Sequence, residues 1–180
     1  MRQANKSLMR YSMSLTMYEC SIPVFLRYLN NLSALLEKGT SYASEKEIEY
    51  SILVNARLYP NMLSLSRQVQ IACDVTKGAA ARLSGVESPK HEDKETTFEE
   101  LQDRIAKTKS FLESIGEADI NGTEDKEILL QAGPKEFKFT GRIFLTTFAL
   151  PNLLFHVSTA FNILRHNGVD IGKMDYLGGA

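Results

Sequence analysis

The segment from Gly141 to Asn167 constrains this chain more than any other, because it is apolar on most sides of a helical wheel. A helix that is hydrophobic nearly all round belongs in the middle of a fold, so the remaining elements must be built around it. Pro151 lies inside it, removes one backbone donor and predicts a kink. Asn167 followed by Gly168 predicts a left-handed C-cap. Its most lipid-like run, Ile143 to Phe155, is 13 residues long and contains Thr146, Thr147 and Asn152. A membrane-spanning helix needs about 20 apolar residues, so no membrane partner is expected.

Three further segments return apolar residues every three or four positions and can supply the surrounding layer. In the first, Ile22, Phe25, Leu26, Leu29, Leu32 and Leu36 share a stripe, with Arg27, Asn31 and Lys38 opposite. Ser21 and Pro23 mark its start, and Gly39 is expected to weaken its far end. The second runs from about Met62 to Leu83, with Leu65, Val69, Ala72, Thr76, Ala79 and Leu83 on one seam and Gly85 as its stop. Its small residues let a neighbour approach closely. The third opens on Thr97, Phe98, Glu99 and Glu100, a capping box, and carries Phe98, Leu101, Ile105, Thr108, Leu112 and Ile115 on one seam before Gly116.

Between these segments, Glu45 to Pro60 has room for one short helix, and Ser84 to Thr96 reads as a charged connection. The runs Glu127 to Leu130 and Glu136 to Phe139, around Ala132, Gly133 and Pro134, suggest a small hairpin. The expected class is all-α: an antiparallel four-helix bundle with a short helix after the first long one and a small hairpin before the fourth. Such bundles place ligand and metal sites between facing helices. Its 180 residues fit one domain, here 14–180, preceded by a flexible leader at 1–13.

Charge is balanced at 21 basic against 22 acidic residues, which disfavours nucleic acid as a partner. Cys20 and Cys73 are far apart and form no CxxC, the usage of reduced thiols in a cytoplasmic protein. The acid-free leader with Arg2, Lys6 and Arg10 leaves a mitochondrial destination as the alternative.

The chemistry centres on His156, the histidine well inside a buried helix. Leu145, Asn152, His156, Thr159 and Ile163 share one face, so a polar trio interrupts an apolar stripe. Buried polar groups need partners, and one core hydrogen bond would satisfy this histidine without any function. On the second long helix Gln68 is the polar residue best placed to face it, whereas Arg67, Gln70 and Asp74 read as an outward, solvated face. His91, Glu92, Asp93 and Glu95 tempt a metal reading. They precede a helix N-terminus, where negative charge is favoured, and alternate with Lys90 and Lys94, so a solvated cap is the preferred account. His166 sits beside the C-cap, Cys73 lacks the electropositive setting of a nucleophile, and Ser158 diverges from His156 on the helix. No phosphate loop, dinucleotide fingerprint or HExxH is present.

The segment H-V-S-T-A-F-N-I-L-R-H-N-G, His156 to Gly168, resembles the H-R-G-Q-L-x-x-Y-L-R-x-x-G run that closes DinB/YfiT-like four-helix bundles, with His156, Leu164, Arg165 and Gly168 in register. The runs R-L-Y-P-N-M from Arg57, R-Q-V-Q-I-A from Arg67, E-T-T-F-E-E-L-Q-D-R-I from Glu95, P-N-L-L-F-H from Pro151 and L-R-H-N-G-V-D-I-G-K-M-D-Y-L-G from Leu164 resemble a branch of that superfamily known as a family of unknown function. The likeness covers about Ser14 to Gly178. It implies the bundle fold and, for the wider superfamily, a divalent metal on three histidines, with some members acting as thiol-dependent transferases or isomerases. Here only His156 matches one of those positions. Asn152 replaces the first histidine of the HxxxH pair, and Gln68 or Gln70 stands where the second helix would supply another. Amide oxygens are poor substitutes for imidazole around Zn²⁺ or Ni²⁺.

Three readings follow. The first is a bundle without a metal cofactor that binds a small polar ligand through His156, Asn152, Gln68 and Thr159. The second is an interaction module that assembles as a homodimer, with the tail Gly172 to Gly178 docking on a second subunit. The third is a metal- or thiol-dependent transferase with His156 as surviving metal ligand or base. Arg57, with Pro60 and Asn61, is read as bonding backbone groups at a loop-to-helix junction, and a substrate-anion contact is its alternative.

Overall fold

Four long helices form where the apolar spacing placed them: α1 (Ile22–Glu45), α3 (Leu65–Ser84), α4 (Phe98–Glu113), and the helical run Gly141–His166. The structure is a computed structural model that describes residues 15–179, and the leader expected at 1–13 lies outside the described residues. α2 (Tyr50–Val54) is the short helix after α1, and α5 (Glu117–Ile120) follows α4. The hairpin consists of β1 (Glu127–Ala132) and β2 (Lys135–Thr140), antiparallel with Ile128 opposite Phe139 and Leu130 opposite Phe137. The chain is therefore mostly helical with one two-stranded sheet, rather than purely α.

Packing follows from the stripes. α3 packs against both the last long helix and α4, and α1 packs against the same two. Phe25, Leu29, Leu36, Leu65, Val69, Leu101, Ile105, Leu153, Val157 and Leu164 are buried together in the resulting core. The widest contact is between α3 and the last helix, and α3 contributes the small, fully buried Ala72, Ala79 and Ala80 to the core. α4 starts as its sequence dictates: the Thr97 hydroxyl accepts from the Glu100 amide, and the Glu100 carboxylate accepts from the Thr97 amide.

Three local expectations are revised. Gly39 does not weaken α1, which continues to Glu45; a Cβ there would meet Leu164 Cδ2 at 2.9 Å, so the glycine serves helix–helix approach. α3 begins at Leu65 rather than Met62, because the preceding residues are held in a turn by the Met62 amide on the Tyr59 carbonyl and by Arg57 on the Met62 carbonyl. The discontinuity expected at Pro151 takes the form of a π-helical stretch, Phe144–Ala149, between α6 (Gly141–Ile143) and α7 (Leu150–His166). Pro151 then falls in the first turn of α7. The Thr146 and Thr147 hydroxyls donate to the Arg142 and Ile143 carbonyls in the widened stretch.

Gly141–His166 as a whole is long and apolar enough, by length and composition, to cross a membrane, which the 13-residue count missed. A core helix meets the same criterion, and this one lays its buried side on α1 and α3. The tail is also placed. α8 (Lys173–Leu177) lies on the polar face of α1, where Arg27 donates to the Leu177 carbonyl, Asn31 to the Tyr176 carbonyl, and Lys38 pairs with Asp175. The segment expected to dock on a second subunit is thus seated on its own chain.

Candidate functional site

Two faces of α3 carry polar groups into the interior, and they do so toward different neighbours. On the first, Gln68 meets His156 of α7: His156 Nδ1 lies 2.7 Å from Gln68 Oε1, and both residues are buried, 8% and 2% exposed. Gln68 Nε2 donates to the Leu63 carbonyl at 3.0 Å, which leaves Oε1 as the acceptor and assigns the proton to His156 Nδ1. Burial pushes the His156 pKa below the ordinary imidazole value, so the ring is neutral at pH 7. Its other nitrogen, Nε2, therefore carries a lone pair and accepts no hydrogen bond among the described residues. The Phe155 ring stands edge-on to the imidazole, centroids 5.2 Å apart.

The other residues expected here are placed unequally. Asn152, one turn before His156, is half-buried, and its amide makes no hydrogen bond among the described residues. Thr159 does not join the pair, because its hydroxyl donates to the Phe155 carbonyl at 2.7 Å. Arg57 is exposed and donates to the Met62 carbonyl at 2.9 Å, the backbone role favoured for it. It reaches the site only through the chain: the turn it closes presents the next carbonyl, Leu63, to Gln68.

The three-histidine metal implied by the resemblance does not fit this donor set. The positions that would carry the other two imidazoles hold neutral amides, Asn152 and Gln68, the latter with its oxygen already taken by His156 Nδ1, and no group of three His, Cys, Asp or Glu side chains converges among the described residues. Cys73 is fully buried, which pushes its thiol up to about 12 despite the Thr108 hydrogen bond, so it is no nucleophile.

The second face of α3 overturns the solvated reading of Gln70, while Asp74 keeps 41% of its side chain exposed but is drawn into ion pairs. Arg104 of α4, its side chain only 1% exposed, bonds Asp74 at 2.9 Å, Asp93 at 3.0 Å and Glu95 at 3.0 Å. Gln70, 2% exposed, donates to Glu95 at 2.8 Å, Arg67 reaches Asp93 at 2.6 Å, and Lys77 holds Asp74 at 3.1 Å. Asp93 and Glu95 thus clasp a buried guanidinium as well as preceding α4. The hydrogen bond from Arg67 holds Asp93 below the usual carboxylate range. Burial works to raise Glu95, but hydrogen bonds from Arg104, its own amide and Gln70 outweigh it and hold that carboxyl low. One signal for this cluster was available: Arg104 lies three residues after Leu101 and four before Thr108, inside the α4 stripe.

Comparison with known proteins agrees with this architecture. The crystal structure of a DinB family member from Shewanella denitrificans is similar at 42% sequence identity, covering 91% of this chain and 92% of that one, with a TM-score of 0.82. No curated protein matches the chain. A family described as a domain of unknown function, DUF1993, matches residues 17–177. The chain belongs to the DUF1993 family.

Proposed function

We propose that this protein is an antiparallel four-helix bundle that binds a small polar molecule at the α3–α7 face without a tightly bound metal. The observation that carries the reading is the lone pair of His156 Nε2, on a ring whose tautomer is fixed by Gln68. The ligand presents a hydrogen-bond donor to Nε2, and the half-buried Asn152 amide offers a donor and an acceptor one helical turn away. Thr159 and Arg57 support the face through the backbone. Two free thiols, Cys20 and Cys73, support a cytoplasmic setting.

The test is a nitrogen spectrum of histidine-labelled protein titrated with the low-molecular-mass fraction of a cell extract. The His156 Nε2 resonance moves on addition, and the response is lost in Gln68→Leu. A resonance that stays fixed overturns the reading. Dialysis after exposure to Zn²⁺, Ni²⁺ and Mn²⁺ leaves well under one ion per chain; stoichiometric retention would favour the transferase alternative, with His156 as ligand. The homodimer reading draws on Phe155 and Leu63, exposed apolar side chains that flank the same pair, and light scattering at twice the chain mass would favour it.

A further inference from the structure

The tail motif has no part in the Gln68–His156 pair, yet its placement is closely specified. Arg27, Asn31 and Lys38 of α1 hold it at Leu177, Tyr176 and Asp175, and a Cβ on Gly178 would run into the Asn31 amide. α8 is also tied to α7, where the Ser158 hydroxyl donates to Tyr176 Oη at 3.1 Å. Between these two helices a cavity of about 330 Å³ remains, lined by Ser158, Phe161 and Asn162 from α7 and by Lys173 and Tyr176 from α8. None of the five is buried, so each retains surface that a solute can touch. At about 100° per residue, Ser158, Phe161 and Asn162 lie roughly 140–240° around α7 from His156. The cavity therefore opens on the side of α7 away from Gln68.

The lining restricts what can fill it. The Phe161 and Tyr176 rings have centroids 6.0 Å apart and planes inclined at 71°, so the two walls meet as a corner. A flat ring laid along one wall meets the other edge to face, an arrangement that aromatic pairs favour and that an aliphatic chain cannot use. Tyr28 of α1 backs the Tyr176 ring, centroids 5.7 Å apart, and keeps that wall in place. Lys173 is the one charged residue in the lining and forms no ion pair among the described residues. The acids nearest to it in sequence, Asp170 and Asp175, are committed to Arg165 and Lys38. One ammonium and the neutral Asn162 amide suit a single carboxylate, whereas the second charge of a phosphate would find no second cation. The volume stands near the lower end of the roughly 300–1,000 Å³ usual for ligand cavities, which suits one ring system with a short acid side chain.

We propose that the α7–α8 cavity is a second binding site, for a small aromatic carboxylate whose ring is seated in the corner between Phe161 and Tyr176 and whose carboxylate pairs with Lys173. The tail then supplies half of a site rather than a contact for another subunit.

The test is a titration of the full chain, its tyrosine rings isotopically labelled, with benzoate, phenylacetate and indole-3-acetate. Acetate and benzyl alcohol are the controls, one keeping only the charge and the other only the ring. At least one aromatic acid shifts the Tyr176 ring resonances saturably, with a Kd at least tenfold below that of either control. Lys173→Met weakens that Kd about tenfold, the loss of one charge-assisted hydrogen bond, and Phe161→Leu weakens it about fivefold, the loss of one aromatic contact. Lys173 is exposed, so Lys173→Met leaves Tm unchanged. His156→Gln leaves the Kd unchanged and so separates this site from the α3–α7 face. Tyr176 resonances indifferent to all three acids overturn the proposal. So do a control that binds as tightly as the acids, a Kd unmoved by Lys173→Met or by Phe161→Leu, and a Kd that rises with His156→Gln.

Discussion

Replacing Arg104 by Met removes the charge around which Asp74, Asp93 and Glu95 are gathered while retaining most of the side-chain volume. The loss is unequal among the three. Asp74 and Asp93 are about 40% exposed and keep Lys77 and Arg67, so solvent screening limits the contribution of each to about 1 kcal/mol or less. Glu95 is 13% exposed and is left with the amide of Gln70. Removing one partner of a buried ion pair typically costs about 3–5 kcal/mol, and that range is expected here at pH 7.5 by urea unfolding. The corresponding fall in Tm is roughly 6–20 °C for a chain of this size. The pH dependence carries the sharper sign. In the native protein Glu95 titrates below 4.5, so its contribution is full above that pH and disappears as pH falls through the folded value. Without Arg104, burial dominates and the folded pKa of Glu95 rises above 4.5, so the variant gains stability relative to its pH 7.5 state as pH falls toward 4.5. The difference between the two proteins therefore shrinks on acidification. A difference below about 1 kcal/mol at pH 7.5, or one that is constant between pH 7.5 and 4.5, would refute the assignment of Arg104 as a buried ionic hub.

Gly141→Ala should cost more than Gly39→Ala in the same assay. The new Cβ would lie 2.0 Å from the Thr123 carbonyl oxygen in the first case and 2.9 Å from a movable leucine methyl in the second, giving about 3 kcal/mol against about 1 kcal/mol; equal costs would contradict this packing. His156 should show Nδ1–H and unprotonated Nε2 in a nitrogen spectrum at pH 7, and the opposite tautomer would remove the basis of the α3–α7 site. Because its folded pKa lies below 6.5, it lowers stability as pH falls from 6.5 toward that value, so His156→Gln should flatten this part of the stability curve. Gln68→Leu and Gln70→Leu should each cost about 1–3 kcal/mol, and their double variant should cost the sum to within about 0.5 kcal/mol. The two amides leave α3 toward different partners, and a coupling above about 1 kcal/mol would show the two sites to be one network.

The long helices were legible because their signals are local. Apolar spacing, the Thr97–Glu100 box and the stop at Gly85, which adopts φ 89°, are each contained within a few residues of where they act. Gly39 was misread for the complementary reason. A glycine within a helix signals low propensity from sequence alone, and only the presence of Leu164 and Phe98 beside it shows that the missing Cβ is a packing requirement. The π-helical stretch was similarly beyond reach: Pro151 announces a lost hydrogen bond, but which neighbouring turn widens to absorb it depends on the hydroxyls and helices around it.

The sites divide along the same line. Gln68 and His156 were paired from sequence because His156 interrupts one strong apolar stripe and Gln68 lies beside another, and a wheel locates such residues relative to a neighbouring helix. The Arg104 cluster escaped because its carboxylates come from a charged connection and from the apparent outer face of α3, positions where exposure is the usual outcome. A charged loop can lay carboxylates over a cation that is itself part of a core stripe while staying largely exposed, and the arginine within the α4 seam was the residue that demanded such a cover. The loop is the consequence and Arg104 the cause: a guanidinium at that position cannot be buried by apolar neighbours alone, so the chain must bring carboxylates to it, and it brings them from both sides at once.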